Sequence, residues 1–229
     1  MYANPQNRKA MDTKTLCAEY APYDHRERME RLFRDFDRVL MTSSFGTTSA
    51  ILLHLLHQVR PDHPVHFIDT GYHFTETHQY RETLTQQWGL NVVDVRPKAN
   101  EHNFTRLDYT WTYQPDSCCF VNKVLPVEAL KETHQVWVSG MIRGTSAVRK
   151  NLPLFKQDGN ILRFYPLADM DPEEARWYNY MYELPEHPLK VRGYESVGCT
   201  HCTQAGKGRS GRWSGTIKTE CGLHSFKKA

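Results

Sequence analysis

The sequence predicts an α/β fold whose sheet is mainly parallel, and two observations carry that prediction. Short apolar runs, typical of buried strands, recur at Val39–Met41, Val65–Ile68 and Asn91–Val95. Longer segments with helical periodicity lie between these runs, and a parallel pair of strands needs such a crossover. At 229 residues the chain is long enough for one sizeable core, and neither an internal repeat nor a clear linker divides it.

The remaining elements follow from the same patterns. Residues 1–20 show no strong period and predict a loose lead-in, whereas the polar residues 97–117 predict a long loop or short helices. Two further strands are predicted at Gln135–Ser139 and Ile161–Phe164. Helices are predicted at Asp24–Arg38, at Ile51–Val59, at Thr75–Trp88, from Cys118 to about Lys131, and at Pro172–Leu184.

Small polar turns follow the predicted strands. Ser43–Gly46 follows the first strand, Asp69–Gly71 follows the second, and Gly140 ends the fourth and leads to Arg143 and Arg149. The carboxyl ends of parallel strands meet at one edge of a sheet, where α/β folds bind ligands. A hydroxyl-rich turn before a helix presents backbone N–H groups to an anion. The turn lacks the G-x-x-x-x-G-K-[ST] pattern of a P-loop, so magnesium-assisted cleavage of a triphosphate is not supported.

Composition narrows the class of protein. The net charge of +3 is too small to call for nucleic acid as a partner, and 24% charged with 12% aromatic residues argue against wholesale disorder. No apolar run approaches the ~20 residues of a membrane helix, and the first residues lack the apolar core of a signal peptide. The sequence therefore predicts a cytoplasmic protein with no membrane partner, in a compartment where thiols stay reduced.

Four of the six cysteines form two close pairs. Cys199 and Cys202 make a C-x-x-C pair, and Cys118 and Cys119 are adjacent. Four thiolates suit a zinc ion or an iron–sulfur cluster, and the alternative is that they are ordinary buried cysteines. Adjacent cysteines diverge, which favours a cluster with several irons over one small ion. Lys123 follows Cys119 by four residues and is either a surface lysine or a charge partner of that centre.

The last residues carry a concentrated positive charge. Residues 203–229 contain six lysines and arginines against Glu220 alone, with glycines at 206, 208, 211 and 215 among them. This basic segment is either a disordered solubilising tail or a mobile segment that docks over an anion, and Trp213 favours docking. Within it, Cys221 lies between Lys218 and His224, and cations of this kind lower a thiol pKa. Cys221 is thus a candidate nucleophile, with an incidental terminal cysteine as the alternative, and the chain divides into residues 1–202 and 203–229.

Several motifs together resemble those of the adenylyl-sulfate reductases, the iron–sulfur branch of a family that also contains phosphoadenylyl-sulfate reductases. The resemblance runs from about residue 30 to residue 224. It rests on SSFG at residues 43–46, IDTGYHFTET at 68–77, CC at 118–119, GC-x-x-C at 198–202, GRW at 211–213 and KTECGLH at 218–224. KTECGLH and the paired cysteines are the specific motifs, whereas SSFG and DTG are only supportive.

The resemblance implies a fold, a cofactor and a role for particular residues. The fold would be a doubly wound sheet of the adenine-nucleotide α-hydrolase type, and Cys118, Cys119, Cys199 and Cys202 would bind a [4Fe-4S] cluster with Lys123 beside it. Cys221 would attack the sulfur of adenylyl sulfate, and thioredoxin or glutaredoxin would then release sulfite. The residues expected to bind the substrate are Ser43, Ser44, Phe45, Gly46, Thr70, Gly71, Gly140, Arg143, Arg149, Arg209, Arg212 and His224.

Two alternatives stay open on the sequence. Thr47, Thr48 and Ser49 replace the acidic pair that many adenylyl-sulfate enzymes carry after this turn, so the 3′-phosphate of phosphoadenylyl sulfate would meet no carboxylate there. A zinc-stabilised module that binds nucleic acid through the basic segment is the rival from another class. The oligomeric state is undetermined, and a homo-oligomer is compatible with the sequence.

Overall fold

A six-stranded sheet forms the centre of the molecule. The computed structural model describes residues 12–224, and of His224 only the backbone. The strands are β1 Val39–Ser43, β2 Val65–Ile68, β3 Val92–Val95, β4 Val136–Val138, β5 Phe155–Asp158 and β6 Ile161–Phe164. Their order is β3-β2-β1-β4-β6-β5, and every pairing is parallel except that of β5 with β6. The predicted α/β fold with a mainly parallel sheet is confirmed.

Eight α-helices surround the sheet in the described part of the chain. They are α1 Thr13–Tyr20, α2 His25–Asp35, α3 Ser49–Val59, α4 Thr75–Trp88, α5 Ala99–Leu107, α6 Pro115–Cys119, α7 Leu125–Lys131 and α8 Pro172–Met181. The main core cluster packs α2 and α3 against β1, β2 and β6 through buried side chains such as Met29, Leu56 and Phe164. None of these helices is both long enough and apolar enough to cross a membrane.

Two elements escaped the sequence prediction. Helix α1 lies in the segment predicted to be a loose lead-in. Leu16 and Tyr20 anchor it because both are fully buried, but two apolar residues give too short a periodic pattern to recognise in the sequence. Strand β5 was also missed, since its sequence is Phe155-Lys-Gln-Asp and only its first residue is buried. An edge strand that pairs with β6 alone does not need apolar residues on both faces.

The helix that carries Cys118 and Cys119 differs from the predicted one. It begins three residues earlier, at Pro115, and is interrupted by a π-helical turn at Phe120–Val124 before α7 continues it. A π-turn is a rare insertion that is frequent at functional sites. A prediction that assumes 3.6 residues per turn cannot detect the wider π-turn, so this turn could not be predicted from the sequence.

The strand order creates a crevice at a defined place. From β1 the chain continues outward through β2 to β3, whereas β4 lies on the other side of β1 and leads toward β6 and β5. The carboxyl ends of β1 and β4 are therefore the point at which the winding direction reverses, which is where open α/β sheets bind ligands. Ser43 ends β1, and Ser139 with Gly140 follows β4.

Candidate active site

An open cleft lies at this reversal point. It is bounded by the turn after β1, the residues after β4, the π-turn and the basic segment near the end of the chain. Of the residues predicted to bind the substrate, to act as the nucleophile or to lie beside the cluster, those that line it are Ser43, Ser44, Gly46, Lys123, Gly140, Arg149, Arg209, Arg212 and Cys221. Residues separated by up to 178 positions in the chain thus share one cavity.

The turn after β1 lines the cleft and contains one residue in an unusual backbone conformation. Phe45 adopts the left-handed conformation (φ 47°), and its fully buried ring packs edge-on against Phe67. The Phe45 N–H donates to the Ser43 hydroxyl at 3.1 Å, which closes the turn. Helix α3 begins directly afterwards, and its N-cap residue Thr48 makes no capping hydrogen bond. The Ser49 N–H donates to the Gly46 carbonyl at 3.1 Å, and the N–H groups that follow it at the start of the helix can meet an anion in the cleft.

The two cysteine pairs come together beside the cleft. Cys118 and Cys199 are buried in one cluster, and Cys202 packs against it. Burial, followed by the charges of the other three thiols, raises the pKa of Cys118 to about 12. Burial and then Cys199 raise the pKa of Cys202 to about 11, and burial also raises that of Cys119. These four thiols are therefore close enough to influence one another's ionisation, and holding them as thiolates requires a compensating positive charge.

Side chains from three other segments surround these thiols. Thr70 Oγ1 lies 3.4 Å from Cys199 Sγ, and Asn122 Nδ2 donates to the Cys118 carbonyl at 2.9 Å and reaches its sulfur at 3.6 Å. Trp111 and His201 stack at 4.2 Å next to this group. Among residues 12–224, no three Cys, His, Asp or Glu side chains are arranged to hold a single metal ion. The role of Asn122 is one that the sequence pattern did not reveal.

Lys123 connects the cysteines to the cleft. Burial alone would lower its pKa, but the charges that Cys199, Cys119 and Cys221 carry as thiolates raise the pKa above the usual lysine range. The ammonium group is thus positively charged between the cysteine pairs on one side and Cys221 on the other. Lys123 is half-buried, and its role as a charge partner of the cysteines stays a prediction.

Two arginines and a tryptophan of the basic segment form one wall of the cleft. Arg209 and Arg212 lie 5.7 and 4.5 Å from the centre of the Trp213 ring, which is buried. Arg212 Nη1 donates to the Val197 carbonyl at 3.0 Å. The Nε atoms of both arginines are buried without a hydrogen-bond partner among residues 12–224. Burial, and then the charge of Arg149, lower the pKa of Arg209 to about 10. Donors that lack a partner in a cationic wall suit a bound anion.

Gly198, which precedes the C-x-x-C pair, makes room for this wall. A Cβ atom at this position would lie 2.2 Å from Arg212 Nη2 and 2.6 Å from its Cζ. No side chain larger than hydrogen fits there unless the guanidinium moves. Glycine is therefore required at this position of the GC-x-x-C motif because Arg212 packs against it, and not because of the cysteines.

The end of the described chain is attached to the domain at three points. Lys218 pairs with Asp116, Glu220 pairs with Arg149, and the Leu223 carbonyl accepts from Arg163 Nη1 at 2.6 Å. Cys221 lies between these attachments, half-buried, and lines the cleft. A Cβ at Gly222 would lie 2.9 Å from Val124, so only glycine permits this close approach to the π-turn.

Some of the predicted substrate residues do not line the cleft. The Phe45 ring is buried in the core, Thr70 faces Cys199, and Gly71 packs against His102. Arg143 donates to the Leu152 carbonyl at 2.6 Å and lies outside the cavity lining. The side chain of His224 lies outside the described residues. Conversely, Glu220 lines the cleft, although the sequence pattern gave no reason to select it.

A cationic cleft at the reversal point of a parallel sheet, lined by a half-buried thiol and flanked by four grouped cysteines, is typical of an α/β protein that binds an anionic ligand. The family profile described as the phosphoadenosine phosphosulfate reductase domain matches residues 38–205. Because this match covers well over half of the chain, the protein belongs to that family, whose members are oxidoreductases acting on a sulfur group.

Curated relatives and solved structures agree with this assignment. The chain is 36% identical over 197 residues to adenosine 5'-phosphosulfate reductase of Bacillus cereus strain 03BB102, covering 82% of this chain and 84% of the relative. It is 35% identical over 197 residues to the Bacillus mycoides protein of the same name, covering 82% and 84%. The fold resembles phosphoadenylyl-sulfate reductase from Candida auris, with a TM-score of 0.73 at 22% identity over 89% of this chain and 99% of that one. The predicted resemblance is confirmed.

The fold type is also supported by a more distant neighbour. The NH3-dependent NAD synthetase of Campylobacter jejuni superposes with a TM-score of 0.51 at 13% identity, covering 81% of this chain and 80% of that one. That similarity concerns the fold alone, and it agrees with the expected adenine-nucleotide α-hydrolase type. The zinc-stabilised nucleic-acid module is left without support.

Proposed function

We propose that this protein reduces adenylyl sulfate to sulfite and AMP, with Cys221 as the nucleophile and a protein dithiol as the reductant. The observation that carries the proposal is the meeting of Cys221 with Lys123, Arg209 and Arg212 in one cleft, at the edge of the sheet where the turn after β1 presents its N–H groups. The match covers most of the length of the curated relatives, and their names support the choice of substrate.

The nucleotide and the phosphosulfate need different parts of the cleft. The N–H groups after β1 and at the start of α3 suit one anionic group, and the guanidinium groups of Arg209 and Arg212 suit another. Lys123 lies within charge range of Cys221. The thiolate is the nucleophilic form of a cysteine. The attacking group and the cations that stabilise the departing charge thus face one cavity.

The reaction has two steps that balance in electrons. The Cys221 thiolate attacks the sulfur of adenylyl sulfate, the bond between that sulfur and the phosphate oxygen breaks, and AMP leaves with the negative charge. An enzyme S-sulfocysteine results. A thiolate of thioredoxin or glutaredoxin then attacks Cys221 Sγ and expels sulfite, and its second thiol resolves the mixed disulfide. The two electrons that reduce sulfate to sulfite come from the dithiol, whose sulfurs end as a disulfide.

The four grouped cysteines fit a [4Fe-4S] cluster. Cys118, Cys119, Cys199 and Cys202 would hold it. Burial raises the pKa of Cys118, Cys119 and Cys202, so metal cations would be needed to keep these three as thiolates. Adjacent Cys118 and Cys119 suit a centre with separate irons. When bound, the cluster would supply a fixed charge that orients and polarises the site. Asn122 and Thr70 would position the sulfurs, and Lys123 would offset the negative charge.

Phosphoadenylyl sulfate is the second candidate substrate. Thr48 is exposed at the cleft, and Thr47 and Ser49 flank it, so the turn carries hydroxyl groups and has no carboxylate that would repel a 3′-phosphate. The assimilatory role, the dithiol donor and the cytoplasmic location belong to the same proposal.

The experiment that tests the proposal is sulfite production with each nucleotide in turn, in the presence of thioredoxin. The wild-type protein is expected to favour adenylyl sulfate, and Cys221→Ser is expected to abolish sulfite release with either nucleotide while nucleotide binding persists. Cys17→Ser serves as the matched control, because Cys17 lies outside the cleft lining, where its sulfur accepts a hydrogen bond from the Phe155 N–H. Normal turnover by Cys221→Ser would overturn the assignment of the nucleophile.

A further inference from the structure

Glu220, the residue before Cys221, forms a buried bidentate ion pair with Arg149. Glu220 Oε1 accepts from Arg149 Nε at 2.7 Å, and Glu220 Oε2 accepts from Arg149 Nη2 at 2.7 Å. The side chains are only 5% and 10% exposed. A guanidinium and a carboxylate joined in this way fix both the distance and the plane of the two groups. The pair therefore restricts the position of Glu220 more tightly than an exposed ion pair could.

Neighbouring side chains make further hydrogen bonds to this pair. Glu220 Oε2 also accepts from Arg209 Nη2 at 3.0 Å, and Oε1 accepts from the Ser146 hydroxyl at 3.3 Å. Arg149 Nη1 donates to Thr145 Oγ1 at 3.1 Å. All three nitrogens of Arg149 are thus engaged by the protein. Three of its five N–H donors are committed in this way, and the Glu220 carboxylate already balances its charge.

We infer that Glu220 and Arg149 are positioning residues that hold Cys221 at the cleft, and that Arg149 acts on this segment instead of binding the substrate. The inference rests on the proposed role of Cys221 as nucleophile. Adjacent Cα atoms are about 3.8 Å apart, so fixing the Glu220 carboxylate confines the next residue to the cleft wall. A thiol confined in this way starts near the sulfur that it attacks.

The other two attachments of the segment are weaker candidates for this role. Asp116, the partner of Lys218, has a side chain that is 86% exposed, and exposed ion pairs stabilise little. At Leu223, Arg163 donates to the backbone carbonyl and not to a side chain, and its guanidinium also pairs with Asp158. The Glu220–Arg149 pair is consequently the one whose opening would release Cys221. It must open in each cycle, because a protein dithiol has to reach a thiol that is half-buried in this arrangement.

The test is the rate at which iodoacetamide alkylates Cys221 in the purified holoenzyme, with the modified residue identified by peptide mass spectrometry. Glu220→Gln keeps the shape but removes the charge, and it is expected to raise the alkylation rate at least ~10-fold, since a buried arginine is left without its carboxylate. Arg149→Gln is expected to have the same effect, and the double variant no larger effect than either single one. Glu30→Gln, which breaks the exposed pair with Arg26, is the matched control and should leave the rate unchanged.

Two outcomes would overturn the inference. One is a wild-type alkylation rate in folded Glu220→Gln. The other is additive effects in the double variant, which would mean that the two residues act separately. If Glu220→Gln fails to fold, Glu220→Asp keeps the charge on a shorter side chain and should show a smaller increase. An unchanged rate in that variant, together with unchanged hydrogen exchange of residues 216–223, would also contradict the inference.

Binding of adenylyl sulfate separates a positioning role from a substrate contact. In the Cys221→Ser background, Arg149→Gln should leave the dissociation constant of adenylyl sulfate within about twofold, whereas loss of a charged hydrogen bond to the substrate would weaken it ~10-fold or more. The weaker binding would overturn the inference. Because alkylation requires no turnover, its result is independent of the proposed function, which fails instead if Cys221→Ser still produces sulfite.

Discussion

Gly198→Ala tests the role of Arg212 without removing its charge. The new methyl group would lie 2.2 Å from Arg212 Nη2 and 2.6 Å from Cζ, which is far inside van der Waals contact. The guanidinium is the far end of a flexible side chain, so it moves and the backbone stays. Its hydrogen bonds to the Val197 carbonyl at 3.0 Å and to Ser196 Oγ at 3.3 Å are then lost.

The magnitude follows from the proposed contact between Arg212 and the bound anion. A hydrogen bond to a charged group contributes about 1.5–3 kcal/mol, which corresponds to roughly 10- to 150-fold in affinity. We therefore expect Gly198→Ala to weaken adenylyl sulfate binding within that range. The free energy of unfolding should change by less than about 1 kcal/mol, since the displaced group can reach solvent and no core residue moves.

Isothermal titration calorimetry with adenylyl sulfate in the Cys221→Ser background measures this affinity, and iron content shows whether the neighbouring Cys199 is disturbed. Gly144→Ala is the matched control, because a Cβ there meets Pro172 at an ordinary 3.6 Å. An unchanged affinity in Gly198→Ala would refute the reasoning that Arg212 binds the anion. A loss of iron without a loss of affinity would show that the glycine serves the cysteines instead.

Two further predictions concern the cysteine group and the pH dependence of stability. Cys119→Ala should lose most of the bound iron, measured by colorimetric assay, whereas Cys17→Ala should retain it; full iron content in Cys119→Ala would exclude this residue as a ligand. Burial lowers the pKa of His187 to about 4, so the folded protein disfavours its proton, and the stability that the neutral form contributes is complete above pH ~6.5 and declines toward pH ~4. From about pH 7.5 to about pH 5, His187→Gln should therefore lose about 2 kcal/mol less stability than the wild type in chemical denaturation, and parallel curves would contradict this.

The parts of the fold that could be predicted are those in which local pattern and burial coincide. β2 at Val65–Ile68 and α4 at Thr75–Trp88 match the prediction because each has a clear period and a clear boundary. Gly89 ends α4 in the left-handed conformation that glycine favours. β5 escaped because its burial depends on pairing with β6, which is information that no local window contains.

For the site, sequence motifs identified reactive residue types but not their contacts. Cys221 and the two cysteine pairs could be selected because their chemistry and spacing are unusual. Glu220 could not, since an acidic residue in a basic segment has no local signature, and its significance appears only when Arg149 lies opposite it. Phe45 shows the converse, because its motif position suggested substrate binding whereas its ring is buried in the core.

The central claim is that one thiol, Cys221, accepts the sulfur of the substrate. The most direct measurement is the mass of the holoenzyme after incubation with adenylyl sulfate in the absence of any reductant, followed by peptide mapping. The account predicts the addition of one SO₃ group per chain at Cys221, removed as sulfite when thioredoxin is added. An unmodified Cys221 alongside released AMP and sulfite, or an adduct on another residue, would contradict it.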